Sequence, residues 1–167
     1  ASQDRFKMPV LDPLALKAAL PRNRRLLGLD VGEKTIGLAI SDGSLTVATP
    51  LETIRRAKFA ADAARLIAIC AERGVGGLVV GLPVDMHGGE GRRCQSVRQF
   101  AADLLAKLDL PLAFWDERLS TVAVTRALIA ADMSRTRRSQ VVDKAAAAYI
   151  LQGLLDRLAA AAKEPPA

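Results

Sequence analysis

The chain has a single histidine, two cysteines and only 4% aromatic residues in 167. One imidazole excludes zinc sites built on two or more histidines and argues against a Ser-His triad, so His87 reads as a loop residue. Cys70 and Cys94 form no C-x-x-C pair and read as packing thiols of a reducing compartment. No apolar run approaches the roughly 18 to 20 residues that span a bilayer. Ala1 to Pro9 carries no charged-then-apolar leader. These absences point to a cytoplasmic protein with no membrane segment.

What is present is globular: 50% hydrophobic and 25% charged residues, enough chain for one real core and too little for two ordinary domains. A net charge of +6 and a pI near 9.8 attract polyanions, with nucleic acid the commonest such partner. Residues 1–22 read as an N-terminal extension with one short helix, Asp12 its cap and Pro13 its first position. Residues 23–160 read as the single domain and 161–167 as a tail.

Leu26 to Val31 and Thr35 to Ser41 are short apolar runs separated by Gly32, Glu33 and Lys34, which predicts strand, tight turn and strand. Thr46 to Ile54 extends this into a three-strand antiparallel meander. The hydrophobic period then changes from two to 3.6. Phe59, Ala63, Leu66, Ile67 and Cys70 share one helical face, and Gly74, Gly76 and Gly77 end that helix. Leu78 to Leu82 predicts a strand covered on both faces, followed by a glycine-rich loop from Pro83 to Gly91. A helix burying Val97, Ala101, Leu104, Leu105 and Leu108 comes next, then a strand from Leu112 to Trp115. Ser120 caps a further expected helix over Val124, Ala127, Leu128 and Ala131. Ser134 to Ser139 reads as a mobile basic loop before a final helix from about Gln140 to Leu158. Strands that first meander and then alternate with helices imply an α/β fold with a mixed sheet flanked by helices.

Carboxylates at the ends of apolar strands carry the chemical signal, because burying an unpaired negative charge is costly. Asp30 closes the first strand, and Glu117 follows the strand that ends in Trp115 and Asp116. Asp143 heads the stripe Ala147, Ile150, Leu151 and Leu154, at +4, +7, +8 and +11, so it faces the protein. Three such acids in one crevice would repel one another without cations, and one or two Mg²⁺ or Mn²⁺ ions are the natural answer. Two ions roughly 4 Å apart can activate water and stabilise the leaving oxygen of a phosphodiester. Each acid also has a plainer reading: Asp30 bonded to turn amides, Glu117 paired with Arg118, Asp143 stabilised by its helix dipole. Lys34, Arg92, Arg93, Arg118, Arg137 and Arg138 are the candidate phosphate contacts. Arg92 and Arg93 stand at a helix start beside the glycine-rich loop.

In chain order, Gly28-Leu29-Asp30-Val31-Gly32, Val79-Val80-Gly81-Leu82-Pro83, Asp116-Glu117-Arg118-Leu119-Ser120-Thr121 and Val142-Asp143-Lys144-Ala145-Ala146 resemble the YqgF family, the RuvC-like pre-16S ribosomal RNA nucleases. The resemblance covers residues 26 to about 157. It implies a ribonuclease-H-like fold, a mixed five-stranded sheet with a three-strand antiparallel start and then parallel β-α units, flanked by helices. It also implies metal-dependent cleavage of nucleic acid, with Asp30, Glu117 and Asp143 at the family's acidic positions. Members are linked to 5′-end maturation of 16S rRNA, and earlier naming placed them with Holliday junction resolvases. Two departures stand out: Val141 occupies a position where members often carry a basic residue, and the first 22 residues have no clear counterpart.

The expected activity is therefore endonucleolytic, on precursor rRNA and possible ribosomal particles, by a monomer or weak homodimer. The alternatives are a resolvase acting on branched DNA and an assembly factor whose nuclease centre is idle. An actin-like kinase is disfavoured, since the chain has no second lobe and no second Asp-x-Gly strand-turn.

Overall fold

Along residues 25–31 successive side chains point to opposite sides of the sheet, and both sides are covered, so the whole run after Arg25 is buried. The computed structural model describes residues 10–119 and 135–163, with side chains in the second stretch described from residue 142. Its strands are β1 (Arg25–Val31), β2 (Thr35–Ser41), β3 (Ala48–Arg55), β4 (Val75–Leu82) and β5 (Leu112–Asp116). The helices are α1 (Pro13–Ala19), α2 (Phe59–Arg73), α3 (Arg92–Leu105) and α4 (Arg135–Lys163).

The five strands lie in the order β3-β2-β1-β4-β5. The β1–β2 and β2–β3 pairs are antiparallel, while β1–β4 and β4–β5 are parallel. This is the expected mixed sheet, with its meander and its β-α units. Leu27, Leu29, Ile36, Leu38, Leu78 and Val80 form one core with α2 and α3. On the opposite face, Leu26, Ala39, Val79, Ala113 and Trp115 pack against α4 and against Leu16 of α1. The stripe predicted for the final helix is real: Ala147, Ile150, Leu151 and Leu154 are fully buried.

Several boundaries shift for physical reasons. Gly76 and Gly77 belong to β4 and not to the end of α2. A β-carbon at Gly77 would crowd Leu16 and Leu20 of the N-terminal segment, so these glycines answer a packing need. Helix α2 stops at Gly74 alone, in the left-handed conformation. On α2 the buried positions are Asp62, Ala63, Leu66, Ile69 and Cys70, with Ile67 only half-buried. Leu108 lies beyond α3, which ends at Leu105. The expected loop over 134–139 is helical from Arg135, because arginines favour helix and need no apolar stripe. The helix predicted after Ser120 falls on residues outside the described ones.

Asp12 caps α1 by accepting from the Ala15 amide, and Pro13 opens the helix, as read from the sequence. Leu16 is completely buried, and the Leu11 amide donates to the Leu112 carbonyl at 2.8 Å. Residues 10–20 therefore rest on the β5 side of the α4 face.

Candidate active site

Asp30 is the penultimate residue of β1 and only 5% exposed. By strand alternation it shares the α4 face with Leu26 and Gly28. Its partner across the antiparallel pair is Gly37 of β2. The main chain of α4 crosses there, and a β-carbon at Gly37 would collide with the carbonyl of Asp143. On the other side of β1 runs β4, where Leu29 pairs with Val80, so the next residue, Gly81, stands beside Asp30. A β-carbon at Gly81 would lie 2.9 Å from Glu117 Oε1. Two glycines thus flank Asp30 on the same face, and over each of them lies one of the other two predicted acids.

Glu117 starts a short 3-10 turn directly after β5 and is half-buried. Asp143 is also half-buried, and its Oδ2 accepts a short hydrogen bond from the Thr35 hydroxyl at the start of β2. The structure therefore brings Asp30, Glu117 and Asp143 to one end and one face of the sheet. It does not draw them together around a single point: among the described residues no three carboxylate, imidazole or thiol groups form a ready metal cluster.

The plainer reading of Glu117, an ion pair with Arg118, is not what forms. Arg118 instead grips Asp116, with Nη2 donating to Oδ2 at 2.6 Å and Nε to each oxygen at 3.1 Å. Those hydrogen bonds, foremost, hold the Asp116 carboxyl below its ordinary range. Arg118 is thus paired with a neighbour while its side chain stays exposed.

Lys34 and Arg93 share a crevice with Asp143. Together with Gly32, Glu33, Thr35 and Asp143 they line an open crevice with a volume near 440 Å³. An adjoining hollow of about 230 Å³ shares Gly32, Glu33 and Arg93 with it and adds Arg92 and Ser96. Helix α3 begins at Arg92 behind Gly91, with no side-chain cap on its first amides, a terminus whose polarity favours an anion. Arg137 and Arg138 lie in the opening turns of α4, and their side chains, like that of Val141, fall outside the described ones.

The glycine-rich loop serves itself first. Asp85 Oδ1 accepts from the amides of His87 and Gly89 at 2.9 and 2.8 Å, and a β-carbon at Gly89 would strike the Asp85 carboxylate. Gly88, with its positive φ, and Gly89 answer that internal turn. His87 is an exposed loop residue, as expected.

Sequence reasoning missed Thr35, Arg56 and Asp62. Thr35 carried no signal beyond its place after the turn. Asp62 did carry one: it lies at +3 from Phe59 and −4 from Leu66, on the buried face of α2, where an acid is unusual.

Comparison with known proteins adds three findings. A family model described as RuvX, Holliday junction resolvase, matches residues 24–157. A protein of Paramagnetospirillum magneticum named as a pre-16S rRNA nuclease is 66% identical over 149 residues, covering 89% of this chain and 96% of that protein. A Cereibacter sphaeroides protein of the same name is 63% identical over 141 residues, covering 84% and 88%. Among solved structures, Thermus thermophilus RuvC in complex with a Holliday junction substrate superposes with a TM-score of 0.52 at 12% identity, over 81% of this chain and 96% of that one. The yeast mitochondrial Holliday junction resolvase Ydc2 superposes with a TM-score of 0.50 at 12% identity, over 86% and 82%. At such identities these two likenesses establish the ribonuclease-H-like fold.

Proposed function

The chain belongs to the RuvX family, also called YqgF, and from that membership and the geometry around Asp30 we propose that it is a metal-dependent endonuclease maturing the 5′ end of 16S rRNA precursors. In class it is a nuclease, hence a hydrolase of phosphodiester bonds. The observation that carries the site assignment is the buried Asp30 flanked by Gly37 and Gly81, with Asp143 and Glu117 over those two glycines. Relatives that are more than 60% identical over most of their length and share the rRNA-nuclease name support the choice of substrate.

The donor set fits a hard divalent cation, since every candidate ligand is a carboxylate oxygen. Asp30 is fixed by its strand, and the Asp143 main chain and the Glu117 carboxylate stand over the glycines on either side of it. Bound there, one or two Mg²⁺ or Mn²⁺ ions supply an activated water and charge stabilisation for the phosphodiester. The protein's own part is orientation. Thr35 holds the Asp143 carboxylate, and Lys34, Arg92 and Arg93 bring a phosphate backbone into the crevice beside it. Arg137 and Arg138 join those phosphate contacts in this reading, while Arg118 serves to hold Asp116. The protein acts in the cytoplasm on free precursor or ribosomal particles, as a monomer or weak homodimer.

The family's own description favours one further substrate, branched DNA. The deciding experiment incubates purified protein with precursor 16S rRNA and with a four-way DNA junction, each with Mg²⁺, Mn²⁺ or chelator. Metal-dependent cutting of the RNA and not the junction is expected. Junction cutting alone would replace the proposed substrate, and no cutting of either would reject the enzyme reading.

A further inference from the structure

Arg56 reaches from the end of β3 to the turn that follows Asp30. Its Nη1 donates to the Gly32 carbonyl at 2.6 Å, and its main-chain amide donates to the Lys34 carbonyl at 2.8 Å. The guanidinium lies over the Phe100 ring of α3, 5.3 Å from its centre. Behind it stands Asp62 of α2, whose side chain is 3% exposed, with Oδ2 4.0 Å from Arg56 Nε. Asp62 Oδ1 accepts the Ala57 amide at 3.0 Å, while Oδ2 has no hydrogen-bond donor among the described residues. Arg56 is therefore the counter-charge of a buried carboxylate and at the same time a clamp on a turn at the opposite end of its own fork.

That turn joins the two parts of the candidate site. Asp30 lies two residues before Gly32, and Thr35, which holds Asp143, closes the turn by accepting the Gly32 amide at 2.9 Å. The acids approach the sheet from the α4 face, whereas Arg56 and Asp62 brace the turn from the α2 and α3 face. Arg56 meets the crevice lining at the main-chain carbonyls of Gly32 and Lys34, so its influence passes through the main chain.

We propose that Arg56, seated on the buried Asp62 and bonded to the Gly32 carbonyl, is a positioning residue that fixes Asp30 and Thr35 in register for cation binding. The inference rests on the nuclease reading above and names the device that pre-organises that site. Partners of this outer kind typically change metal affinity by 10- to 100-fold when removed.

The test uses the full chain with Mn²⁺ as the probe, free ion being followed by electron paramagnetic resonance, beside thermal unfolding and amide hydrogen exchange. Saturable Mn²⁺ binding by wild type that Asp30→Asn abolishes is the check on the acid site. Its absence overturns the nuclease reading and this inference together. Given that binding, the double variant Arg56→Met/Asp62→Asn is expected to bind Mn²⁺ about tenfold more weakly. Its Gly32 amide should exchange about tenfold faster while Val79 and Val80 stay protected. The double variant removes one charge of each sign, so charge alone would leave cation binding nearly unchanged. Mn²⁺ affinity unchanged or tighter in the folded double variant overturns the inference. The double variant is needed because Arg56→Met alone strands a buried carboxylate. Should it fail to fold, Arg56→Lys, which keeps the charge and loses the planar fork, decides the question. Weaker binding by that variant supports the clamp, and wild-type affinity overturns it.

Discussion

The main chain of Asp143 lies over Gly37 so closely that no β-carbon fits between them. Gly37 also faces Asp30 across β1 and β2, so one side-chain-free position sets the spacing of two candidate acids. Gly37→Ala must push α4 away from the sheet, because the colliding atoms are backbone and cannot rotate aside. Overpacking of this kind costs about 2 kcal/mol, or roughly 4 to 8 °C of thermal midpoint in a chain of this size. Calorimetry should show that drop together with loss of cleavage. A variant as stable and active as wild type would mean that Asp143 is not seated as described.

The basic residues are expected to separate into two groups. Arg93 lines the crevice with Asp143, whereas Arg118 is held by both oxygens of Asp116. Removing one phosphate contact lowers the slope of log affinity against log salt by about one. Arg93→Ala is expected to do so in filter binding on precursor RNA, and Arg118→Ala to leave the slope nearly unchanged. Equal losses from both variants would reject this division.

The Arg118–Asp116 pair should instead be visible in acid. Asp116 has its carboxyl held below the ordinary 3.8, chiefly by the Arg118 hydrogen bond. Its folded-state pKa is depressed, so the stability it contributes is present above 3.8 and is lost as pH falls through the lower folded value. Arg118→Ala should therefore be less stable than wild type near neutrality, with the difference vanishing at the acid end. Carboxyl NMR should show Asp116 moving up toward its ordinary value in the variant. An unmoved Asp116 would contradict the pairing.

Both thiols are buried, and desolvation pushes Cys70 up to about 11. The raised value disfavours the thiolate, so this contribution is intact below 9.0 and fades as pH climbs through about 11. Ellman's reagent at pH ~8 should react with neither Cys70 nor Cys94 in native protein and with both in denaturant. Rapid native labelling of either would show that the α2 and α3 layer opens.

Much of this was legible in the chain. The apolar runs on either side of Gly32 to Lys34 announced the β1–β2 hairpin, and counting from Asp143 located the buried stripe of α4 correctly. Asp30, Glu117 and Asp143 were distinctive because carboxylates end apolar strands or head an apolar stripe. Less legible was whatever depends on a neighbour distant in sequence. Arg118 chose Asp116 over Glu117 because a fork meets both oxygens there, a matter of side-chain direction that periodicity does not carry. Thr35 bonds Asp143 across 108 positions of sequence, and no local pattern marks such a pair. The polar opening of α4 looked like loop because hydrophobic period was the guide, and the run from Arg135 to Ser139 carries none.

The central claim is that Asp30 is a functional acid and not a structural one. Asp30→Asn keeps the shape of the side chain and removes its charge, so binding of precursor rRNA, which we propose to rest on Lys34, Arg92 and Arg93, should persist. The most direct measurement is the single-turnover cleavage rate of that variant on precursor 16S rRNA in Mg²⁺ or Mn²⁺, beside its RNA affinity at the same salt. The account predicts a rate lower by on the order of a thousandfold, since a lost ligand removes several kcal/mol of charge stabilisation, with affinity changed little. A purified variant that cuts as fast as wild type would contradict it.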